Sequence, residues 1–172
     1  PIFESQPNDF ETIATSLERL AHLTGTDAVG RTAAESFRAR LKQISATYQQ
    51  PAPVTVFHQI WREPLMSLNE AHLISAAIRL CGGQNIFGKL PQLAPTVSIE
   101  GVLQADPEVI ISGGSAKGDS LSHWRRFPKL KAVARDNLFS INSDLLTRAG
   151  PRILDGAETM CRQLDAARAK RQ

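Results

Sequence analysis

Hydrophobic residues recur at helical spacing along the first 48 residues of the chain. The positions that repeat at three- or four-residue steps are Phe10, Ile13, Leu17, Leu20, Phe37, Leu41, Ile44 and Tyr48. This spacing places the apolar side chains on one face of a helix. Asn8 or Asp9 can cap a first helix, Gly25 ends it, and Asp27 can start a second. The prolines of segment 49–53 then end the helical region.

After residue 53 the pattern changes to short apolar runs that alternate with helix-like segments. The runs lie at 54–57, 109–112 and 138–141 and are rich in Val, Ile, Leu and Phe, which is typical of buried parallel strands. The helix-like segments lie at 69–81, 98–103, 121–127 and from Pro151 onward. This alternation predicts a Rossmann-like, three-layer α/β/α fold with a mostly parallel sheet.

Ligands of open α/β sheets bind beyond the carboxyl ends of the strands, here in loops 58–67, 113–120 and 142–147. Trp61, in the first loop, offers a flat apolar surface and one N–H donor, the alternative being packing beneath the loop. Asp144 and Arg148 stand one helical turn apart at the predicted start of the last helix. They form either a donor–acceptor pair for ligand amides or an ordinary i,i+4 surface pair.

Composition narrows the function classes. The net charge is +3, from 20 basic and 17 acidic residues, and 42% of residues are hydrophobic, as in an ordinary globular domain. No apolar run is long enough to span a bilayer, so we predict a protein that is not membrane-spanning. The basic segment 125–135, with Trp124 just before it and Phe127 within it, is interpreted as a solvated helix and loop. We therefore predict no nucleic-acid partner.

The sequence contains no catalytic or metal-binding motif. The four histidines lack metal-helix spacing, and no Gly-x-Ser-x-Gly element occurs, so we predict neither a metal site nor an enzyme. Segment 113–118 lacks the ending of a phosphate loop and is interpreted as a strand-to-helix connection. His58, at a strand end, is favoured as a satisfied structural histidine over a ligand contact. A cytosolic α/β enzyme or nucleotide-binding domain remains the alternative of another class.

The chain has two cysteines, Cys81 and Cys161, which can be either free thiols or a disulfide. In a cytosolic protein they would be buried thiols, whereas in an oxidising compartment they could form a disulfide. Their spacing along the chain favours neither state. The pairing is therefore left open by composition and spacing alone.

Five short motifs occur in order between residues 56 and 152 of the chain. They are Val56-Phe57-x-Gln59, Cys81-Gly82-Gly83-Gln84-Asn85-Ile86-Phe87, Val97-Ser98-x-Glu100-x-Val102-Leu103, Pro107-x-x-Ile110 and Ser143-Asp144-x-x-x-Arg148-Ala149-x-Pro151-Arg152. As a set they resemble the periplasmic cobalamin (vitamin B12)-binding proteins of ABC importers, whose two α/β lobes are joined by one long helix.

The resemblance implies a division of the chain and a function. Residues 1–50 correspond to the end of the N-terminal lobe and the long connecting helix, and residues 51–172 to the C-terminal ligand-binding lobe. Most of the first lobe is expected to lie outside this sequence. The implied function is capture of cobalamin or a related corrinoid in the periplasm and delivery to an ABC-importer permease. It involves no catalysis and no cofactor besides the transported ligand. Haem, siderophore or metal-chelate binding is the alternative within the class.

The same resemblance implies roles for individual residues. Cys81 and Cys161 are expected to form a disulfide. Asp144 and Arg148 match positions that contact corrin side-chain amides, and Trp61 falls in the segment that lines the cleft.

Glu100 is the expected contact with the membrane permease. It matches a carboxylate of the C-terminal lobe that docks onto a permease arginine, the alternative being simple complementarity to a helix dipole. The sequence also departs from the family pattern at one place. That pattern often has a large aromatic residue immediately before Pro95, where this chain has Ala94.

Overall fold

The computed structural model describes residues 9–48, 52–114 and 120–171. It begins with two helices, α1 (Phe10–Leu23) and α2 (Asp27–Tyr48), as the spacing of apolar residues predicts. Asp9 caps α1, because its carboxylate accepts the Thr12 backbone N–H at 2.7 Å. Gly25 turns the chain between the helices with φ 69°, a left-handed conformation that glycine adopts readily. Asn8, the other candidate cap, lies outside the described residues.

Four parallel strands form one sheet in the order β2-β1-β3-β4. They are β1 (Val54–Gln59), β2 (Gly83–Asn85), β3 (Val109–Gly114) and β4 (Leu138–Asn142). The remaining helices are α3 (Leu73–Leu80), α4 (Ile99–Ala105), a 3₁₀ helix (Ser122–Arg126), α5 (Lys131–Ala134), α6 (Ser143–Leu146) and α7 (Ile153–Ala169). Strands β1, β3 and β4 match the predicted apolar runs.

Each face of the sheet carries its own hydrophobic core, which confirms the predicted three layers. On one face, a first core cluster joins α1, α2, α3, α6 and α7 to the sheet. On the other face, a second core cluster is built with α4, the 3₁₀ helix and α5. Strand β1 serves both clusters by alternation, since Val54 and Val56 lie in the first and Phe57 in the second.

Helices α1 and α2 share the first core cluster with the sheet. Phe10, Ile13, Phe37 and Ile44 lie in the same continuous cluster as residues of β1, α3 and α7. The two helices also approach each other closely, because a Cβ placed on Gly30 would lie 2.2 Å from the Ala21 Cβ. The described part of the chain therefore packs as one body, and the division at residue 50 stays a prediction.

A disulfide joins Cys81, at the end of α3, to Cys161 in α7, with a Cα–Cα distance of 4.6 Å. The pairing implied by the family resemblance is thus confirmed. The bond closes a sequence separation of 80 residues. It fixes α7 to the helix that precedes β2.

The end of α7 is also tied to the amino ends of the strands. The Arg168 guanidinium donates to the carbonyls of Cys81 and Gly82 at 2.6 and 2.9 Å. Arg171 binds both Glu108 carboxylate oxygens at 2.7 Å and also donates to the Pro53 carbonyl at 2.6 Å. The Arg171 guanidinium lowers the pKa of Glu108. This group of side chains, Glu108, Arg168 and Arg171, is called the amino-end clamp below.

Three helices differ from the sequence predictions in their bounds or their type. The helix predicted over 69–81 begins only at Leu73, because His72 caps it by accepting the Ile74 N–H at 3.1 Å. The helix expected near 121–127 is a 3₁₀ helix. Asp144 does not open the last helix, since it lies in the separate short helix α6, and α7 starts at Ile153. Among the described residues, no helix has both the length and the apolar character needed to cross a membrane.

Candidate functional site

A cavity of about 490 Å³ opens at the carboxyl ends of β1 and β3. The strand order reverses here, because β1 pairs with β2 on one side and with β3 on the other. Such a reversal is where open α/β sheets bind ligands. The residues that line the cavity are Gln59, Ile60, Trp61, Arg62, Glu63, Ser112, Gly113 and Ser120. Residues of loop 58–67 thus meet Gly113 and Ser120, which are described residues at the two ends of segment 113–120.

Open grooves of similar or larger volume lie elsewhere on the surface. One of about 600 Å³ runs along α1 and α2, and another of about 710 Å³ lies between these helices and α3. A third, of about 510 Å³, is formed by α4 and segment 126–130. These grooves lie on helix surfaces, away from the carboxyl edge of the sheet. We place the candidate site at the carboxyl edge on the strength of the sheet topology rather than of volume.

Trp61 stands on the wall of this cavity with its ring open to solvent. Its residue surface is 63% exposed, although its indole N–H donates to the Glu63 carbonyl at 2.9 Å. A β-bridge pairs Trp61 with Met66, and a second pairs Met66 with Thr96, so the loop is held against a neighbouring segment. The predicted N–H donor is therefore occupied within the loop. What Trp61 offers a ligand is its flat apolar face.

Ala94 immediately precedes Pro95, in a segment that lies beside the Trp61 loop in space. The backbone around it is joined to the loop by hydrogen bonds, from Ser67 N–H to the Pro95 carbonyl at 3.0 Å and from Val97 N–H to the Leu65 carbonyl at 2.9 Å. Position 94 is exposed. The small side chain therefore provides no ring surface at this exposed position.

A polar network missed by the sequence reasoning forms the floor of the cavity. The buried Gln59 amide accepts from the Trp124 indole N–H at 2.8 Å and donates to the Ser120 carbonyl at 3.2 Å. The hydroxyls of Ser112 and Ser120 lie 2.5 Å apart. The signal for this network in the sequence is Gln59 of the motif Val56-Phe57-x-Gln59, because it places an amide side chain at the carboxyl end of a strand.

Asp144 and Arg148 lie at the same sheet edge but do not line the cavity. Helix α6 follows β4 directly, and a Cβ placed on Gly113 would lie 3.5 Å from the Ser143 Cβ, so α6 begins beside the cavity wall. The Arg148 Nη2 lies 3.6 Å from the Asp144 Oδ1, with side chains 71% and 64% exposed. The structure therefore keeps both groups available to a ligand.

Glu100 is exposed in the first turn of α4. Ser98 caps this helix, because its hydroxyl accepts the Gly101 N–H at 3.0 Å. Within the described part of the chain, no ion pair engages the Glu100 carboxylate. Its charge therefore remains open to an external partner.

His58 differs from its favoured interpretation as a satisfied structural histidine. It is 2% exposed, and neither ring nitrogen has a hydrogen-bond partner within the described residues. Burial, with a smaller contribution from His72, lowers the pKa of His58 to about 4. His58 is therefore an uncharged group under the cleft edge and does not line the cavity.

The structure also bears on two other sites considered from the sequence, a metal site and a phosphate loop. Among residues 9–48, 52–114 and 120–171, no group of three or more His, Cys, Asp or Glu side chains is arranged to hold a metal ion. Most of the glycine-rich segment 113–118 considered as a phosphate loop, residues 115–118, lies outside the described residues. Gly113 and Gly114 themselves belong to β3.

Comparisons with known proteins agree with this architecture. A profile of the periplasmic binding protein family matches residues 1–145. The vitamin B12-binding protein of Vibrio cholerae is 36% identical over 167 residues, covering 96% of this chain and 60% of that protein. The crystal structure of the periplasmic vitamin B12-binding protein of Vibrio cholerae has a TM-score of 0.89 and 35% identity, covering 97% of this chain and 66% of that one.

A more distant structure shares the fold alone. The periplasmic haem-binding protein of Roseiflexus sp. has a TM-score of 0.81 at 17% identity, over 94% of this chain and 65% of that one. The predicted α/β class and the resemblance stated from the motifs are both confirmed. The chain spans about 60% of the length of the vitamin B12-binding relative that it matches.

Proposed function

This chain belongs to the periplasmic binding protein family, and from that premise we propose that it captures cobalamin or a related corrinoid in the periplasm for delivery to an ABC importer. One observation carries the proposal. A chain 36% identical to a vitamin B12-binding protein holds an exposed tryptophan face on an open cavity at the carboxyl edge of its sheet. The Cys81–Cys161 disulfide supports an oxidising compartment such as the periplasm.

The ligand is held by apolar contact and by amide recognition. Trp61 supplies the apolar surface, since its ring is exposed and its N–H is already bonded. Asp144 accepts from amide N–H groups, and Arg148 donates to amide carbonyls through its planar fork. Because these two charges face solvent and lie 3.6 Å apart, a ligand can separate them at little electrostatic cost.

The lobe division supplies the geometry of capture. We assign residues 1–50 to the end of a first lobe and the connecting helix, with α2 as that helix, and residues 51–172 to the second lobe. The second cleft wall then comes from the first lobe, and ligand is enclosed between the two. No catalytic step belongs to this function.

Glu100 is the proposed docking residue for the permease. It is exposed at the start of α4 and, among the described residues, has no cation bound to it. A permease arginine is the complementary group, since a guanidinium binds a carboxylate through two hydrogen bonds. Glu100→Ala should therefore weaken association with the permease and leave ligand affinity unchanged. Glu35→Ala, an exposed acid on α2, is the matched control.

Calorimetric titration of the full-length encoded protein with cyanocobalamin tests the proposal. We expect saturable binding, with Trp61→Ala weakening it about 10- to 100-fold because a large aromatic contact is lost. Asp144→Ala should weaken it about tenfold. Wild-type protein that gives no heat with cyanocobalamin would exclude the proposed function.

Haem, a siderophore or a metal chelate is the second candidate ligand. The observation in its favour is Ala94, an exposed small residue where the cobalamin-binding family pattern often has a large aromatic one. The same titration with haem separates the candidates. Saturable haem binding without cyanocobalamin binding would select the alternative.

A further inference from the structure

We propose that the hydroxyl pair of Ser112 and Ser120 is a hydrogen-bonding subsite for a neutral carboxamide group of the ligand, positioned by Gln59 and Trp124. This inference rests on the proposed function and deepens it. It assigns a second polar contact to the cavity, apart from Asp144 and Arg148. The ligand class it selects carries uncharged amide side chains.

The sheet register brings the two halves of the subsite together. Gln59 is the last residue of β1, and Ser112 lies opposite it in β3. Both residues are almost fully buried, yet both line the cavity. Ser120 lies 2.5 Å from Ser112 through its hydroxyl and is only partly buried. The pair therefore sits on the cavity floor with one side facing the open volume.

The two hydroxyls have hydrogen-bonding capacity left for a further group. Two hydroxyls have two protons, and one proton is used in the bond between them. Within the described residues, neither Ser112 Oγ nor Ser120 Oγ makes another hydrogen bond, so one O–H donor and several lone pairs remain. A carboxamide matches this set, because its carbonyl accepts and its NH₂ donates.

The charges around the cavity favour an uncharged ligand group. Its lining includes one cation, Arg62, and one anion, Glu63, whose side chains lie 3.4 Å apart. They therefore offset each other next to the hydroxyl pair. A carboxylate would lose hydration here without gaining a net opposite charge, whereas an amide loses less. The subsite should prefer the amide over the corresponding acid.

Gln59 acts as a positioning residue for this pair. Its amide has both ends fixed, with the oxygen on the buried Trp124 indole and the nitrogen on the Ser120 backbone. The Ser120 backbone is thereby anchored to β1, which sets the distance of its hydroxyl from Ser112. Gln59→Leu removes this anchor and leaves the Trp124 N–H unpaired. We expect it to act through Ser120 rather than by touching the ligand.

The test compares cyanocobalamin with its monocarboxylic acids, in which one side-chain amide is hydrolysed, by calorimetry on the full-length encoded protein. The double variant Ser112→Ala/Ser120→Ala should bind cyanocobalamin about 5- to 10-fold more weakly than wild type. It should also lose the preference for the amide over at least one of the monocarboxylic acids. Ser140→Ala is the matched control, since Ser140 is exposed, pairs with Ser112 in the sheet and does not line the cavity.

Two further variants separate positioning from general damage. Ser120→Thr keeps the hydroxyl and should retain the affinity of wild type. Gln59→Leu should weaken binding in the wild-type background but add nothing to the double serine variant, which a purely structural defect would not produce. Urea midpoints of all variants show that each is folded in the titration.

The outcomes distinguish the two proposals. If wild type binds cyanocobalamin and the double serine variant binds it equally well, the subsite is refuted and the proposed function stands. If the double variant weakens binding of amide and acid forms to the same extent, the amide assignment is refuted. If wild type binds no cyanocobalamin, both proposals fail together.

Discussion

The two ends of the parallel sheet use charged side chains in opposite ways. At the amino end, Arg171 binds Glu108 through two hydrogen bonds and Arg168 binds two backbone carbonyls, with these side chains mostly buried. At the carboxyl end, Arg148 and Asp144 approach only to 3.6 Å and remain largely exposed. Buried ion pairs joined by two short hydrogen bonds stabilise a fold, whereas exposed ion pairs at longer distances contribute little.

The comparison indicates that stabilising contacts lie at the amino end of the sheet, whereas the proposed binding site lies at its carboxyl end. The disulfide and the amino-end clamp hold α3, α7 and the strand starts together. The carboxyl end can then carry an exposed tryptophan and a pair of hydroxyls that bond to each other and keep capacity for a further hydrogen bond. Substitutions at the amino end should therefore change the free energy of unfolding, and substitutions at the carboxyl end should change the affinity for ligand.

The largest expected effect is loss of the disulfide. Cys81→Ala/Cys161→Ala should lower the free energy of unfolding by about 4 kcal/mol, because a loop of 80 residues is no longer closed in the unfolded chain. Urea unfolding measures this loss. Ligand affinity below the unfolding transition should stay at the wild-type value. A loss smaller than about 1 kcal/mol would contradict the stabilising role given to this end.

The second effect is an acid-dependent loss of stability from His58. Its folded-state pKa is about 4, below the ordinary value of 6.5, so the unfolded chain binds more protons between these limits. Stability should be complete above pH 6.5 and fall by about 3 kcal/mol as pH drops to 4. His58→Leu should remove this part of the pH dependence, and the exposed His22→Gln is its control. Urea midpoints at stepped pH report the difference, and an unchanged slope in His58→Leu would refute it.

The third effect concerns the amino-end clamp. Glu108→Gln keeps the shape of the side chain but removes its charge, so unfolding should become easier by about 1–2 kcal/mol. Because the pKa of Glu108 is lowered, the acid loss below pH 4.5 should shrink in the same variant. Thermal and urea unfolding check both points. Glu63→Gln, at an exposed position, is the matched control. Equal losses of unfolding free energy in the two variants would contradict the stabilising role of the amino end.

The smallest effect is expected at the carboxyl end. Asp144→Asn should change the free energy of unfolding by less than about 0.5 kcal/mol, since the pair with Arg148 is exposed and long. The same variant should weaken ligand binding measurably. Parallel unfolding and titration experiments test this, and a stability loss as large as that of Glu108→Gln would be inconsistent with it.

Local patterns predicted much of the fold because their causes are local. Asp9 and Ser98 cap helices through hydrogen bonds that span three residues, and the apolar runs of β1, β3 and β4 follow from burial on both faces. Strand β2 was missed, since Gly83-Gln84-Asn85 has no apolar alternation and exists only by pairing with β1. The separate helix α6 was missed as well, because Arg148 continues the helical spacing past its end at Leu146.

The candidate site was predictable only in outline. Topology rules placed Trp61 and Asp144 at the carboxyl edge, but contacts between distant residues fixed what each can do. The Trp61 N–H is used by its own loop, and Gln59 meets Trp124 65 positions later. The unsatisfied state of His58 likewise depends on packing around it. Such contacts leave no periodic signal in a sequence.

The two tryptophans give this chain a built-in optical contrast. Trp61 is 63% exposed on the cavity wall, whereas Trp124 is fully buried in the second core cluster. An aqueous quencher such as iodide should therefore extinguish the fluorescence of Trp61 and spare that of Trp124. A ligand that covers the cavity shields Trp61 from iodide, while loss of the core exposes Trp124. Quenching by iodide thus reports cavity occupancy through Trp61 and folding through Trp124 in the unmodified protein.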